Sequence, residues 1–137
     1  MVGILIVAHG TLGEALIHCA SHVLGQRPPQ VLQLSVGMHD DPEVLLPLAQ
    51  RLAQQLDQGQ GVLVLSDILG ATPCNIATRL LAPSEVEGIS GVNLPMLIRA
   101  LTYRDEPLAA VTAKAIGGGL AGVVHLSTDA CNAANRS

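Results

Sequence analysis

Short apolar runs alternate with segments of helical periodicity along most of this chain. Residues 2–8, 31–36 and 61–66 are runs of this kind bounded by turn residues, and residues 88–92 and 122–126 are weaker examples. Runs of this length without polar alternation are typical of strands that helices cover on both faces. The chain has no Phe or Trp and one Tyr, so such strands must pack through aliphatic side chains.

The segments between these runs carry helix signals. Apolar residues recur at the spacing of one helix face, first at Leu12, Ala15, Leu16, Cys19 and Val23 and then at Val44, Leu45, Leu48, Leu52 and Leu56. Thr11 with Glu14 predicts a capping box at the start of the first helix, and Gly25 predicts its end. Further helix starts are predicted where a capping-type or acidic residue precedes a proline, as in Asp41-Pro42, Thr72-Pro73, Asn93-Leu94-Pro95 and Glu106-Pro107.

This alternation predicts an α/β fold with a doubly wound, mainly parallel sheet and helices on both faces, because successive parallel strands need right-handed helical crossovers. A chain of 137 residues is long enough for one sizeable core. We therefore expect one domain over residues 1–128 and a fraying tail over residues 129–137, where the apolar periodicity is lost.

Composition and charge narrow the classes of partner. Seven basic and eleven acidic residues give a net charge of -4 without a run of either sign, so no surface for nucleic acid or an anionic membrane is expected. Three cysteines without a CxxC pair argue against a disulfide framework or a structural zinc site. The first apolar run is too short for a membrane span and lacks a basic flank, which predicts a cytoplasmic protein.

Two side chains that could take part in a reaction follow strands that this fold places side by side. His9 ends ILIVAH and Asp67 ends GVLVLSD, and each is followed by a small-residue turn into a helix. In doubly wound sheets the carboxyl ends of the strands form the ligand crevice, and helix starts bind anions through free amide groups. The predicted phosphate-binding residues are those of the two turns: Gly10, Thr11, Gly70, Ala71 and Thr72.

This arrangement could hold a phosphoryl group on histidine, because it places an imidazole, a carboxylate and two helix starts around one small volume. Asp67 can accept a hydrogen bond from one ring nitrogen of His9, which sets the tautomer and raises the nucleophilicity of the other nitrogen. No GxxxxGK[ST] loop for a nucleotide is present. The residues alone also allow His9 to be an exposed strand-end residue and Asp67 a turn acid.

The remaining histidines and Cys74 carry weaker signals. His18 and His22 share one face of the first helix and could bind a metal, but such pairs without further ligands usually face solvent, and no metal centre is predicted. His39 is expected in a solvated loop and His125 inside a strand. Cys74, in the first turn of a helix, is expected in the core or in the wall of the crevice.

Three segments in this order resemble the mannose-type IIA component of the sugar phosphotransferase system: ILIVAHGTLGEAL, GVLVLSDILGATPCNIATRLL and GISGVNLPMLIRAL. The resemblance implies that His9 accepts a phosphoryl group on Nε2 from the phosphocarrier protein HPr, that Asp67 orients the ring, and that no cofactor is needed. Thr72 matches the hydroxyl residue of a Gly-Gly-Ser-Pro-Phe turn, in which Ala71 and Cys74 are departures that alter the partner surface.

The resemblance also implies a homodimer whose subunits exchange a C-terminal strand, here residues 122–126. The chain ends without the linker and IIB domain that many relatives carry, so a separate IIB protein or a regulatory target is the implied acceptor. Contact with the membrane would run only through the transporter's other components.

Three other interpretations stay open on the sequence. The first is the phosphocarrier subunit of a dihydroxyacetone kinase, whose chain also begins with a strand ending in histidine. The second is a small metal chelatase or tetrapyrrole-binding protein, whose second crevice histidine would be His39 or His125. The third is a phosphate-binding module in which His9 is never modified.

Overall fold

The computed structural model describes residues 1–128. In this part of the chain the elements run β1 (Gly3–His9), α1 (Leu12–Leu24), β2 (Val31–Val36), α2 (Pro42–Leu56), β3 (Val62–Ser66), α3 (Thr72–Leu80), β4 (Val86–Ser90), α4 (Leu94–Tyr103) and α5 (Leu108–Ala121). The strands form one parallel sheet in the order β2-β1-β3-β4. The predicted doubly wound α/β fold is confirmed. No helix among residues 1–128 is both long enough and apolar enough to cross a bilayer.

Helices cover both faces of the sheet, so the molecule has two cores. Ile4 and Ile6 of β1 point to the face that packs against α1, α4 and α5, whereas Leu5 and Val7 point to the face that packs against α2 and α3. All four side chains are fully buried. Because successive residues of a strand point to opposite faces, a strand covered on both sides needs an unbroken apolar run, which is what β1 and β3 have.

Several predicted helix ends are confirmed. The Asp41 carboxylate accepts a hydrogen bond from the Glu43 N–H (2.9 Å) at the start of α2. The Asn93 side chain accepts one from the Met96 N–H (2.9 Å) at the start of α4. Gly25 ends α1 in the left-handed conformation at φ 82°, where a residue without Cβ carries little steric cost.

The predicted capping box at Thr11 is wrong. Thr11 is the N-cap of α1, but its side chain makes no capping hydrogen bond. Glu14 instead accepts from the Arg27 guanidinium, with 2.9 Å between Oε1 and Nη1. A charge-assisted pair of this kind competes with the neutral bond that the capping box would need, and Arg27 reaches Glu14 only because the chain turns back after α1.

Two other helix starts lie one residue away from the prediction. Helix α3 already includes Thr72, with Ala71 as its N-cap, and α5 begins at Leu108, after Pro107 as N-cap rather than Glu106. In both cases the residue before the helix has an extended ψ, 169° at Ala71 and 149° at Pro107. The turn before each helix sets this backbone angle, and side-chain type alone does not reveal it.

The two weaker strand predictions are displaced or wrong in the single chain. The fourth strand is Val86–Ser90 instead of residues 88–92, because Gly91 turns the chain at φ 93°. Residues 122–126 form no strand: Gly122 ends α5 by donating its N–H to the Gly118 carbonyl (3.0 Å). A strand needs a neighbour for its backbone groups, and no strand of residues 1–128 lies alongside this segment. The predicted tail, residues 129–137, lies outside the described residues.

Arg104 is a buried charge that the sequence pattern did not suggest. Its Nε and Nη2 donate to the Val2 carbonyl (3.1 and 2.8 Å), Nη1 donates to Pro29 O (2.6 Å) and Nη2 also donates to Gln30 O (2.7 Å). Burial lowers the pKa of Arg104, and the nearby charge of Asp105 opposes this shift. The guanidinium therefore joins the end of α4 to the starts of β1 and β2.

Candidate active site

The predicted site lies where the strand order of the sheet reverses. The chain runs from β1 outward to β2 on one side and returns to β3 on the other, so β1 has both as neighbours. Ligands of open α/β sheets bind in the crevice at such a switch point, outside the carboxyl ends of the strands. Val7 is aligned with Ser66, the last residue of β3, which brings the next residue, Asp67, beside the end of β1.

His9 and Asp67 are in direct contact. The Nδ1 atom of His9 lies 2.7 Å from Oδ2 of Asp67, and the backbone N–H of His9 donates to the same oxygen at 3.0 Å. The other carboxylate oxygen, Oδ1, accepts from the Ile68 N–H at 3.0 Å. Three hydrogen bonds therefore hold this carboxylate in place, two of them from a residue 58 positions away in the chain.

These hydrogen bonds keep Asp67 ionised. Burial of the side chain acts to raise its pKa, but the hydrogen bonds from the backbone and ring of His9, the charge of His9 and the Ile68 N–H together outweigh burial and lower the pKa below its ordinary value. Hydrogen bonds to the charged form of an acid have this effect because protonation would weaken each of them.

The ionised carboxylate determines which nitrogen of His9 is free. A carboxylate only accepts hydrogen bonds, so Nδ1 must carry the proton in the contact with Oδ2. In the neutral imidazole the lone pair is then on Nε2. The His9 side chain is 51% exposed whereas that of Asp67 is 12% exposed, so the imidazole ring is accessible to solvent and the carboxylate that contacts it is largely buried.

Two turns flank this pair. Gly10 adopts φ 54° and donates its N–H to the Val36 carbonyl at 3.0 Å, so the chain leaves β1 sharply and α1 follows at once. Gly70 adopts φ 88°, and a Cβ atom there would meet nothing within 4 Å. Glycine is therefore favoured at this position by the backbone conformation, and the space above it is open. Beyond these turns lie Thr11, Ala71 and Thr72, at the starts of α1 and α3, where the first amide groups have no partner within the helix.

The remaining histidines and Cys74 do not take part in the hydrogen bonds of the His9–Asp67 contact. His39 is exposed in the turn after β2, as predicted, whereas His125 is exposed beyond α5 and does not lie in a strand. Cys74 is buried in the first turn of α3, as expected. It lines a cavity of about 190 Å³ with Ser66, Leu69 and Ser90.

Ile68 is a contributor that the sequence did not indicate. It acts through its backbone N–H, which any residue other than proline could supply. Its side chain is 59% exposed and that of the following Leu69 is 81% exposed. The turn after Asp67 therefore presents two apolar residues to solvent.

A family model described as PTS system fructose IIA component matches residues 3–116. The chain belongs to this family, the mannose-type IIA components of the sugar phosphotransferase system. The matched range includes all the residues of the candidate site.

Curated relatives agree with this assignment. The mannose-specific EIIAB component of Escherichia coli K12 is 35% identical over 111 residues, which are 77% of this chain and 32% of that protein. The fructose-specific EIIA component of Bacillus subtilis is 26% identical over 107 residues, 77% of this chain and 73% of that protein. This IIA chain thus spans about a third of the length of the Escherichia coli relative.

Solved structures share the fold. The phosphotransferase system component EIIA from Streptococcus agalactiae has a TM-score of 0.81 at 26% identity, covering 91% of this chain and 97% of that one. The mannose/sorbose specific IIA subunit from Enterococcus faecalis has a TM-score of 0.82 at 20% identity, covering 92% and 95%.

Proposed function

We propose that this IIA domain is a phosphoryl carrier in which His9 accepts a phosphoryl group from HPr and passes it to a IIB protein or a regulatory target. The observation that carries the proposal is the contact between His9 Nδ1 and Asp67 Oδ2 at 2.7 Å, which directs the lone pair of Nε2 to the open side of the crevice. Family membership supports the same role.

The transfer exchanges one P–N bond for another. The Nε2 lone pair of His9 attacks phosphorus, the P–N bond to the donor histidine breaks, and the donor imidazole leaves with that electron pair. The positive charge that develops on the His9 ring is balanced by Asp67, which keeps its three hydrogen bonds throughout. The bonds broken and formed are of the same kind, so positioning and charge neutralisation supply the catalysis.

The helix starts are the proposed partners of the phosphoryl oxygens. Helices α1 and α3 both begin at the crevice, next to His9 and after the Asp67 turn respectively, and a helix N-terminus carries a partial positive charge. Thr11 and Thr72 add hydroxyl groups there, and Gly10, Gly70 and Ala71 leave the backbone accessible. Thr72 as the first residue of α3 offers its own N–H as well as its hydroxyl.

We also propose that the protein acts in the cytoplasm as a homodimer. The outer edge of β4 has no strand beside it among residues 1–128, and unpaired edges are usually covered in native proteins. Residues 122–126 are an apolar segment without a sheet of their own. Pairing of this segment with β4 of a second copy would satisfy both.

The test is phosphorylation from radiolabelled phosphoenolpyruvate through enzyme I and HPr. Wild type should take up one label that is labile in acid and stable in alkali, His9→Ala should take up none, and Asp67→Asn should be labelled about 100-fold more slowly because the tautomer is no longer held. His39→Ala is the matched control, an exposed histidine at the same edge of the sheet, and should be labelled like wild type.

Two results would contradict the carrier role. One is a folded wild-type protein that takes up no label from phosphorylated HPr. The other is label that survives in His9→Ala, which would locate the phosphoryl group elsewhere. If wild type is labelled on His9, transfer of label from the purified phosphoprotein to candidate IIB proteins would identify the acceptor.

A further inference from the structure

We propose that His18 and His22 form a two-histidine site for Zn²⁺ on the exposed face of α1, separate from the phosphoryl-transfer site. The two Nε2 atoms lie 3.3 Å apart, with the ring centroids 4.8 Å apart and the ring planes at 81°. Both side chains are exposed, so an ion can reach them from solvent.

The distance between the two nitrogens fits one metal ion. Two Zn–N bonds of about 2.05 Å that end on nitrogens 3.3 Å apart enclose an angle of about 107°, close to the tetrahedral angle that Zn²⁺ prefers. Residues four apart on a helix lie one above the other on the same face. The pair therefore has the separation between nitrogens that chelation of one ion needs before any ion is bound.

The ligand type determines the class of ion. Neutral imidazole nitrogens suit Zn²⁺, Cu²⁺ and Ni²⁺, and are poor ligands for Mg²⁺ and Ca²⁺, which prefer oxygen. An angle near tetrahedral favours Zn²⁺ over the square-planar arrangement typical of Cu²⁺ and Ni²⁺. Without metal, one Nε2 can donate its proton to the other, which accounts for the contact in the absence of an ion.

Neighbouring side chains do not compete for this position. Glu14, one turn before His18, is held by Arg27 with 2.9 Å between Oε1 and Nη1 and 3.4 Å between Oε2 and Nη2. Cys19 follows His18 directly and so points about 100° away around the helix. Among residues 1–128 no third His, Cys, Asp or Glu completes a cluster with the pair, so water would occupy the remaining positions.

The site is remote from His9 along the helix. His18 lies six positions after Leu12, the first residue of α1, which is about 9 Å of helix axis. Zinc binding and phosphorylation therefore use different atoms. His9→Ala is expected to keep the wild-type zinc affinity, and His18→Ala is expected to keep the wild-type rate of phosphorylation.

The test is titration of the tag-free, unphosphorylated protein with ZnCl₂ by isothermal titration calorimetry at neutral pH. Wild type should bind one Zn²⁺ per chain, and His18→Ala or His22→Ala should bind at least tenfold more weakly. The double variant His22→Ala/Val23→His keeps the number of histidines but moves one to another helix face, and it should behave like His22→Ala. Cys19→Ser and His39→Ala should bind like wild type.

Thermal unfolding is a second readout, and it also shows whether the variants are folded. Zn²⁺ should raise the melting temperature of wild type by linkage, and should not raise that of His18→Ala. Equal zinc affinity in wild type, His18→Ala and His22→Ala would overturn the proposal. So would retention of full affinity in His22→Ala/Val23→His, because binding would then depend on histidine number rather than on chelation.

Discussion

Asp67 has two tasks, each of which depends on different hydrogen bonds of its carboxylate. Its Oδ2 accepts from both the ring and the backbone of His9, and its Oδ1 accepts from Ile68. The first of these bonds sets the tautomer of the proposed nucleophile. The other two fix the turn between β3 and α3, so the residue joins two loops as well as orienting a ring.

The lowered pKa of Asp67 predicts a pH-dependent contribution to stability. The unfolded chain binds this proton more tightly, with an ordinary aspartate pKa of about 3.9. The contribution is therefore fully present above that pKa and is lost as the pH falls through the folded-state pKa. At about pH 7, Asp67→Asn should lower the free energy of unfolding by about 1 kcal/mol.

Urea unfolding of wild type and Asp67→Asn at several pH values measures this effect. The difference between the two proteins should shrink as the pH is lowered below about 4, because asparagine does not ionise while the wild-type carboxylate is protonated. A difference that stays constant down to acid pH would show that the ionised form of Asp67 contributes nothing specific.

Arg104 is a second residue whose contribution to the free energy of unfolding can be predicted. The residue is 5% exposed, and its guanidinium donates to three backbone carbonyls. Arg104→Ala should lower the free energy of unfolding by about 3 kcal/mol, because the carbonyls of Val2, Pro29 and Gln30 would lose donors in a buried position. Arg99→Ala, an exposed arginine of the same helix, is the control and should change it by less than about 0.5 kcal/mol.

At the level of the elements, α4 packs closely against α5, and this packing depends on glycine. A Cβ added at Gly118 would lie 2.6 Å from Cβ of Arg99 and 3.2 Å from the Pro95 carbonyl. The adjacent Gly117 faces open space, with nothing within 4 Å of an added Cβ. The packing of α4 against α5 therefore requires glycine at position 118 and does not require it at position 117.

These two positions make a matched pair of alanine substitutions. Gly118→Ala should lower the free energy of unfolding by about 1–3 kcal/mol, because α4 and α5 must move apart. Gly117→Ala should raise it by about 0.5–1 kcal/mol, because alanine loses less backbone entropy in a helix. Thermal and urea unfolding measure both, and equal effects of the two substitutions would contradict the packing argument.

For the whole molecule, the notable feature is the outer edge of β4 together with the exposed segment after α5. Within residues 1–128 this edge is paired only at Val86, which forms a bridge with Ala82. Val123, Val124 and Leu126 are 78%, 58% and 73% exposed in the single chain. Neighbouring apolar residues with this exposure mark interaction surfaces. Pairing of residues 122–126 with β4 of a second copy would bury them and extend the sheet.

This proposed dimer predicts a specific sensitivity to charge. In sedimentation velocity experiments at micromolar concentration, wild type should sediment as a dimer and the double variant Val124→Asp/Leu126→Asp as a monomer. The variant places charges in the paired segment. Val44→Asp, which changes an equally exposed valine of α2 on the other face of the sheet, should leave the dimer intact. A wild-type protein that sediments as a monomer would refute the dimer.

The sequence predicted the elements whose signals are local. The unbroken apolar runs of β1 and β3, the caps at Asp41 and Asn93 and the stop at Gly25 depend on residues close together in the chain, and all are found in the structure. The parallel α/β class followed from their alternation. His9 and Asp67 stood out because each ends such a strand before a turn into a helix.

Tertiary structure decided whatever depends on residues far apart in the chain. The distance of 2.7 Å between His9 and Asp67 requires β1 and β3 to be neighbours in a particular register, which no local pattern encodes. The pairing of Glu14 with Arg27, the burial of Arg104 and the failure of residues 122–126 to form a strand have the same origin. A cap or a turn is stabilised within a few residues, whereas an ion pair, a buried charge or an added strand is stable only where the rest of the fold supplies its partner.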